Sequence, residues 1–141
     1  MTPGPAPTPL RILIADDQAD HRALLMAALR EPRYQLVVAH DGIELLDFLF
    51  GMPPYHFAAV LCDVYMPGLR GTEVLARGSS RSRFILITGS QEAGIDDTAV
   101  EFGAAAVLRK PFDAENLVEL VDSVVGTGPP TGVQRRWDPR A

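Results

Sequence analysis

The sequence predicts an α/β fold, in which helices cover both faces of a doubly wound, five-stranded parallel sheet. Short β-branched runs alternate with stretches of helical period, and this alternation is typical of parallel α/β sheets. Most of the strand candidates are apolar on both faces, and strands buried on both sides require helices on both sides. Five such units fit between residues 10 and 125, so the chain of 141 residues is predicted to hold one domain.

The first half of the chain predicts two strands, each followed by a helix. Leu10–Ala15 and Gln35–Ala39 are the strands, because both are short runs rich in aliphatic and β-branched residues. One helix is predicted to begin near Asp20, with this residue as its N-cap, and the other near Gly42. Their apolar stripes consist of Leu24, Leu25, Ala28 and Leu29 in the first helix and of Ile43, Leu46 and Leu49 in the second.

The second half predicts three strands, at Ala58–Cys62, Phe84–Thr88 and Ala105–Leu108. A short helix is predicted in 72–78, and a longer one in 91–103 that ends at Gly103. The last helix is predicted to begin near Asp113, again as an N-cap. Its apolar stripe consists of Leu117, Leu120, Val121 and Val124.

The two ends of the chain differ in composition from the predicted domain at 10–125. Residues 1–9 are rich in proline and residues 126–141 in glycine and proline, so both are predicted to be flexible tails. No apolar run approaches the roughly 18 residues of a membrane span, and the N-terminus does not resemble a secretory signal. A cytoplasmic protein without membrane contact is predicted. Cys62 is the only cysteine, which excludes an internal disulfide and a cysteine-rich zinc site.

The charge of the predicted domain argues against nucleic acid as a direct partner. Residues 10–125 hold 10 of the 13 Lys and Arg residues and 17 of the 18 Asp and Glu residues, a balance of −7. Binding to a phosphate backbone requires a basic face. Lys110 is the only lysine beside 12 arginines, which suggests a site that needs a compact point charge.

Polar residues follow four of the five predicted strands: Asp16 and Asp17, then Asp63, Thr88 and Lys110. In a doubly wound sheet the carboxyl ends of the strands share one edge, so these side chains are expected to converge. Two carboxylates about 4 Å apart repel by roughly 4 kcal/mol at a surface-like dielectric, so three together either take up protons or bind a cation. Oxygen ligands that leave room for water and a phosphate favour Mg²⁺.

Four motifs around these residues resemble the receiver domain of two-component response regulators. They are ILIADD (12–17), LCDVYMPGLRG (61–71), ILITGS (85–90) and VLRKPF (107–112), in the order typical of that family. The resemblance covers about residues 10–125. It implies a flavodoxin-like (βα)5 fold with strand order 2-1-3-4-5.

The resemblance also implies a role for each polar residue. Asp63 is similar to the phosphorylated residue. The Mg²⁺ ligands would be Asp17 directly and Asp16 through water, together with Asp63 and the Tyr65 carbonyl. Thr88 and Lys110 are similar to the pair that holds the phosphoryl oxygens, and the Lys110–Pro111 peptide resembles the family's cis bond. The physical chemistry agrees, because phosphoryl transfer to a carboxylate needs mainly positioning and charge neutralisation.

The implied function is a switch in a phosphorelay and not a turnover enzyme, apart from self-catalysed phosphoryl acceptance and slow autodephosphorylation. A histidine kinase or phosphotransfer protein would donate the phosphoryl group. Residues 91–125 would form the surface that changes and that meets a downstream protein target or a second copy of the chain. Val107 stands where the family usually has an aromatic residue, so aromatic coupling of the usual kind is absent or relocated.

Three alternatives remain open at this point. A receiver-like docking module that ignores phosphate is compatible with Val107 and the short helix in 72–78. A haloacid dehalogenase-type phosphohydrolase would need a second Asp two residues after Asp63, where Tyr65 stands. A flavin-binding domain is disfavoured, because the acidic loop after the first strand would repel a phosphate without metal. His21, His40 and His56 lack metal-ligand spacing, so none of them is predicted as a ligand.

Overall fold

The computed structural model shows a five-stranded sheet in which all strands are parallel. It describes residues 9–51, 56–66, 70–76, 83–89, 94, 97, 99, 101 and 103–126. The strands are β1 (Leu10–Ala15), β2 (Tyr34–Ala39), β3 (Ala59–Asp63), β4 (Phe84–Thr88) and β5 (Ala106–Arg109). Their order is β2-β1-β3-β4-β5. The predicted fold class and strand order are therefore confirmed, and each strand lies within one residue of its predicted position.

The helices are α1 (Ala19–Leu29), α2 (Gly42–Phe50), α3 (Gly71–Ala76) and α4 (Ala114–Val125). Of the helix predicted in 91–103, Asp97, Ala99 and Glu101 are helical, and Gly103 lies in a turn with a φ of 85°. That positive φ suits glycine and agrees with the predicted end of the helix. The rest of that segment lies outside the described residues, as do residues 1–8 and 127–141 of the predicted tails. None of the helices in the described part of the chain has the length and apolar character that a bilayer crossing requires.

Alternate residues of each strand point to opposite faces of the sheet, and different helices cover the two faces. Ile12 and Ile14 of β1 lie in one apolar cluster with the buried residues of α1 and α4. Leu13 and Ala15 lie in another cluster with the buried residues of α2 and α3. The apolar core therefore extends to both sides of the strands whose ends carry the polar residues.

One of the two predicted N-caps is confirmed and the other is wrong. The Asp113 carboxylate accepts a hydrogen bond from the backbone N–H of Asn116 at 2.8 Å and caps α4. Gln18, and not Asp20, is the N-cap of α1. The Asp16 carboxylate accepts the Gln18 N–H at 2.8 Å, which turns the chain directly after β1 and starts the helix early. Asp20 lies in the first turn, where its charge is favourable to the helix dipole.

Candidate functional site

The register of the sheet brings two carboxylates from distant parts of the sequence side by side. β1 and β3 are neighbours, and Ala15 pairs with Cys62, so Asp16 and Asp63 follow at the same edge. Asp16 is 1% exposed and Asp63 is 6% exposed. Burial of two neighbouring carboxylates is costly unless protons or cations compensate the charge.

Only one of the two Asp16 carboxylate oxygens has a hydrogen-bond partner among the described residues. Oδ1 accepts the Gln18 N–H, whereas Oδ2 is buried and has none. Burial raises the pKa of Asp16, and repulsion by the Asp63 carboxylate raises that pKa further. Because the folded-state pKa lies above the unfolded-state value, the stability of the metal-free domain falls as the pH rises from the unfolded-state pKa through the folded-state pKa, and it stays lower above both values.

We expect Asp16→Asn to increase the free energy of unfolding of the metal-free protein at pH 7 by about 1 kcal/mol. The amide keeps the acceptor for Gln18 and removes the buried charge. Urea unfolding in the presence of a chelator measures the difference, and the gain should vanish at acidic pH, where Asp16 is protonated in both states. Asp47→Asn, at an exposed position on α2, is the control. A lower free energy of unfolding for Asp16→Asn would contradict the expectation.

Asp63, at the end of β3, is held by two contacts. Its Oδ1 accepts the Tyr65 backbone N–H at 2.9 Å, and its Oδ2 accepts a hydrogen bond from Lys110 Nζ at 3.0 Å. Lys110 directly follows β5, and its backbone N–H donates a hydrogen bond to the Thr88 carbonyl at 2.8 Å. The ends of β3, β4 and β5 are thus connected through Lys110, whose peptide bond to Pro111 is cis.

His21, in the first turn of α1, is the residue of this site that was not predicted. Its Nδ1 lies 3.0 Å from Lys110 Nζ and 3.5 Å from Asp16 Oδ2. The expectation that no histidine is a ligand candidate is therefore wrong for His21. Its position five residues after Asp16 was the available signal, because a helix that starts directly after a strand places its first turn above the strand end. Rules for the spacing of metal ligands within one helix do not apply to Asp16 and His21, because Asp16 follows a strand and His21 lies in the helix.

The remaining predicted residues occupy different positions around the two carboxylates. Thr88 ends β4 and is fully buried, and Val107 is buried in β5 beside β4. Tyr65 is 42% exposed, with the Arg70 guanidinium 5.1 Å from the centre of its ring. Asp17 is exposed and does not belong to the compact group of ligand atoms described next.

Three residues can each offer one ligand atom to a metal ion, with all three atoms within 4.8 Å of one another: Asp16, His21 and Asp63. The unpartnered Oδ2 of Asp16 gives this group a buried acceptor that a cation would satisfy. Two carboxylates suit a hard divalent cation such as Mg²⁺. The residues therefore fit the predicted metal, with His21 as an additional donor and with Asp17 outside the group.

Comparison with known proteins assigns the family. The sequence model of the response regulator receiver domain matches residues 12–122. The chain belongs to the response regulator receiver family. Its relatives include the sporulation initiation phosphotransferase F of Bacillus subtilis, which is 32% identical over 114 residues, covering 79% of this chain and 90% of that protein. The transcriptional regulatory protein FixJ of Bradyrhizobium diazoefficiens is 30% identical over 122 residues, covering 84% of this chain and 58% of that protein.

Solved receiver structures share the fold. The receiver domain of the response regulator NarL from Mycobacterium tuberculosis is 28% identical with a TM-score of 0.75, and the match covers 86% of this chain and all of that one. The chemotaxis response regulator CheY4 of Vibrio cholerae is 25% identical with a TM-score of 0.71, covering 83% of this chain and 99% of that one.

The family defines what kind of protein this receiver is. Receivers of two-component systems are phospho-accepting signalling switches, not turnover enzymes, and they interact with histidine kinases or phosphotransfer proteins and with downstream effectors. The chain spans about half the length of several curated relatives, such as 47% of the response regulator MprA of Mycobacterium tuberculosis. The match to those relatives thus covers only part of each protein.

Proposed function

We propose that Asp63 is the residue of this receiver that accepts the phosphoryl group. The observation that carries the proposal is the position of its carboxylate. It is held by the Tyr65 N–H and the Lys110 ammonium, at a strand end beside a second carboxylate, Asp16, that has an unsatisfied oxygen. This arrangement fixes an oxygen nucleophile and provides cationic and metal-binding groups around it, which is what phosphoryl transfer requires.

In the proposed step, an Asp63 oxygen forms a bond to phosphorus while the bond from phosphorus to the histidine nitrogen of the donor breaks. A bound Mg²⁺ would neutralise charge on the phosphoryl oxygens. Asp16 and Asp63 would hold this ion, with Asp17 and the Tyr65 carbonyl as further ligands. Lys110 would move its hydrogen bond from the carboxylate to a phosphoryl oxygen. The Thr88 hydroxyl would donate a hydrogen bond to another phosphoryl oxygen. Both contacts would pull on the strand ends that carry Thr88 and Lys110.

The remaining predictions about partners and location follow from this role and stay proposals. The donor is a histidine kinase or a phosphotransfer protein. Loss of the phosphoryl group is slow and self-catalysed, as the resemblance to the family implies. Residues 91–125 form the surface that changes on phosphorylation and that binds a downstream protein or a second copy of the chain. The protein acts in the cytoplasm.

A mass measurement tests the proposed function. Incubation of the full chain with Mg²⁺ and a small phosphodonor should add one phosphate, and peptide mapping should locate it at Asp63. Chelation of the metal should abolish the reaction, because the carboxylates alone would repel the donor. An unmodified mass, under conditions that label a control receiver, would refute the role of Asp63.

A further inference from the structure

His21 is placed so that its ring nitrogen faces the two buried carboxylates. It lies in the first turn of α1, directly above the end of β1, and its side chain is 32% exposed. His40 and His56 are exposed outside this group. Of the three histidines, His21 is therefore the one whose ring belongs to the candidate metal site.

The contact with Lys110 assigns a hydrogen-bonding role to the Nδ1 atom of His21. An ammonium group has three donors and no acceptor, so at 3.0 Å from Lys110 Nζ the Nδ1 atom must be the acceptor. Nδ1 then carries a lone pair and no proton, and it cannot donate to Asp16 Oδ2 at 3.5 Å. Asp16 Oδ2 is the buried oxygen that has no hydrogen-bond partner among the described residues. Three lone-pair atoms, one nitrogen and two oxygens, are thus directed at one small volume.

The Lys110 ammonium already occupies part of that volume as a cation. It donates to His21 Nδ1 and to Asp63 Oδ2, both at 3.0 Å. A divalent cation that displaced the ammonium would keep both acceptors and gain the third, Asp16 Oδ2. The geometry points to a site whose ligands include the imidazole as well as the carboxylates.

We propose that His21 is a nitrogen ligand of the divalent cation, and that it shifts the metal preference of this receiver from Mg²⁺ toward imidazole-binding dications such as Zn²⁺. The proposal rests on the cation site of the proposed function and adds the identity of one ligand. Imidazole contributes little to Mg²⁺, which prefers oxygen, and contributes strongly to Zn²⁺ or Ni²⁺. Zinc-loaded protein would therefore hold its metal through a residue that an all-oxygen site lacks.

Calorimetric titration of the untagged full chain with Zn²⁺ and, separately, with Mg²⁺ tests this role. We expect His21→Ala to weaken Zn²⁺ binding by at least about ten-fold, a loss typical of altered metal-site residues. Mg²⁺ binding should change by less than about three-fold. His21→Gln, which offers an amide oxygen, should behave like His21→Ala for Zn²⁺. His40→Ala is the matched control, because it removes an imidazole that also lies beside a carboxylate, that of Glu44 at 2.7 Å.

A nitrogen NMR measurement distinguishes ligation from a purely structural role. Zn²⁺ should shift the His21 Nδ1 resonance, whereas Nε2 should move little. Equal losses for Zn²⁺ and Mg²⁺ in His21→Ala, or an unchanged ratio of the two affinities, would overturn the assignment and leave His21 as a positioning residue for Lys110. Folded wild-type protein that binds neither metal would refute the cation site of the proposed function itself, and with it this inference. If Asp63 is phosphorylated in the presence of Mg²⁺ but His21→Ala does not weaken Zn²⁺ binding, the inference about His21 is refuted and the proposed function is not.

Discussion

Asp63→Asn protein is expected to take up no phosphate from a small phosphodonor, at any Mg²⁺ concentration that labels the wild type. The amide lacks the nucleophilic carboxylate oxygen that the proposed step requires at this position. The contacts of Asp63 allow the substitution, since an amide oxygen can still accept a hydrogen bond from the Tyr65 N–H or from Lys110. Intact-protein mass spectrometry measures the result as the fraction of labelled chains.

The control for this variant is Asp47→Asn, which changes an exposed carboxylate on α2 and should label like the wild type. Circular dichroism establishes that both variants are folded. Label that persists in Asp63→Asn would show that another residue accepts the phosphoryl group. Asp16 is the neighbouring carboxylate, and peptide mapping would identify it.

Lys110→Met should lower the stability of the metal-free protein by about 2 kcal/mol, because it leaves the buried Asp63 carboxylate without its cationic partner beside Asp16. Methionine retains most of the apolar stem, so the loss reports mainly on the charge. Lys110 is 23% exposed, and solvent reduces the cost below that of a fully buried pair. Urea unfolding in a chelator measures the loss.

Saturating Mg²⁺ should restore most of this stability, since a ligand at 100 times its dissociation constant stabilises by about 2.7 kcal/mol. The metal should stabilise Lys110→Met more than the wild type, because the cation no longer competes with the ammonium for the carboxylates. Arg30→Met, at the exposed C-cap of α1, is the control and should respond to Mg²⁺ like the wild type. Equal stability of Lys110→Met and wild type in chelator would contradict the role of the ammonium as the counterion of Asp63.

Local sequence patterns predicted the strands with little error, for reasons visible at individual positions, and the family resemblance implied their order. Ile12 and Leu13 face opposite sides of the sheet and are both fully buried, so the run that contains them reads as apolar throughout. Asp113 was recognisable as a cap because an N-cap contact joins residues three apart. Asp16, Asp63 and Lys110 were recognisable together because parallel strands place their carboxyl ends at one edge.

Such local patterns do not predict the contacts between one helix or strand and another. Asp20 has the residue type of a cap, but the hydrogen bond from Gln18 to Asp16 decides where α1 begins, and the sequence alone does not show which carboxylate turns inward. The same turn separates the roles of the adjacent pair, with Asp16 buried and Asp17 exposed. Residue type does not distinguish two consecutive aspartates; the direction of the chain after β1 does.

The sequence by itself determined the parallel α/β sheet, the family and the set of strand ends that carry the polar residues, because periodicity and motif order are properties of the chain. Only the tertiary structure decided which atoms meet. His21 reaches Lys110, 89 residues away, and one buried Asp16 oxygen has no hydrogen-bond partner in the part of the chain that the structure describes. The physical reason is that distances of a few ångströms between α1, β1, β3 and β5 depend on how the helix packs over the sheet edge, and no local pattern encodes that packing.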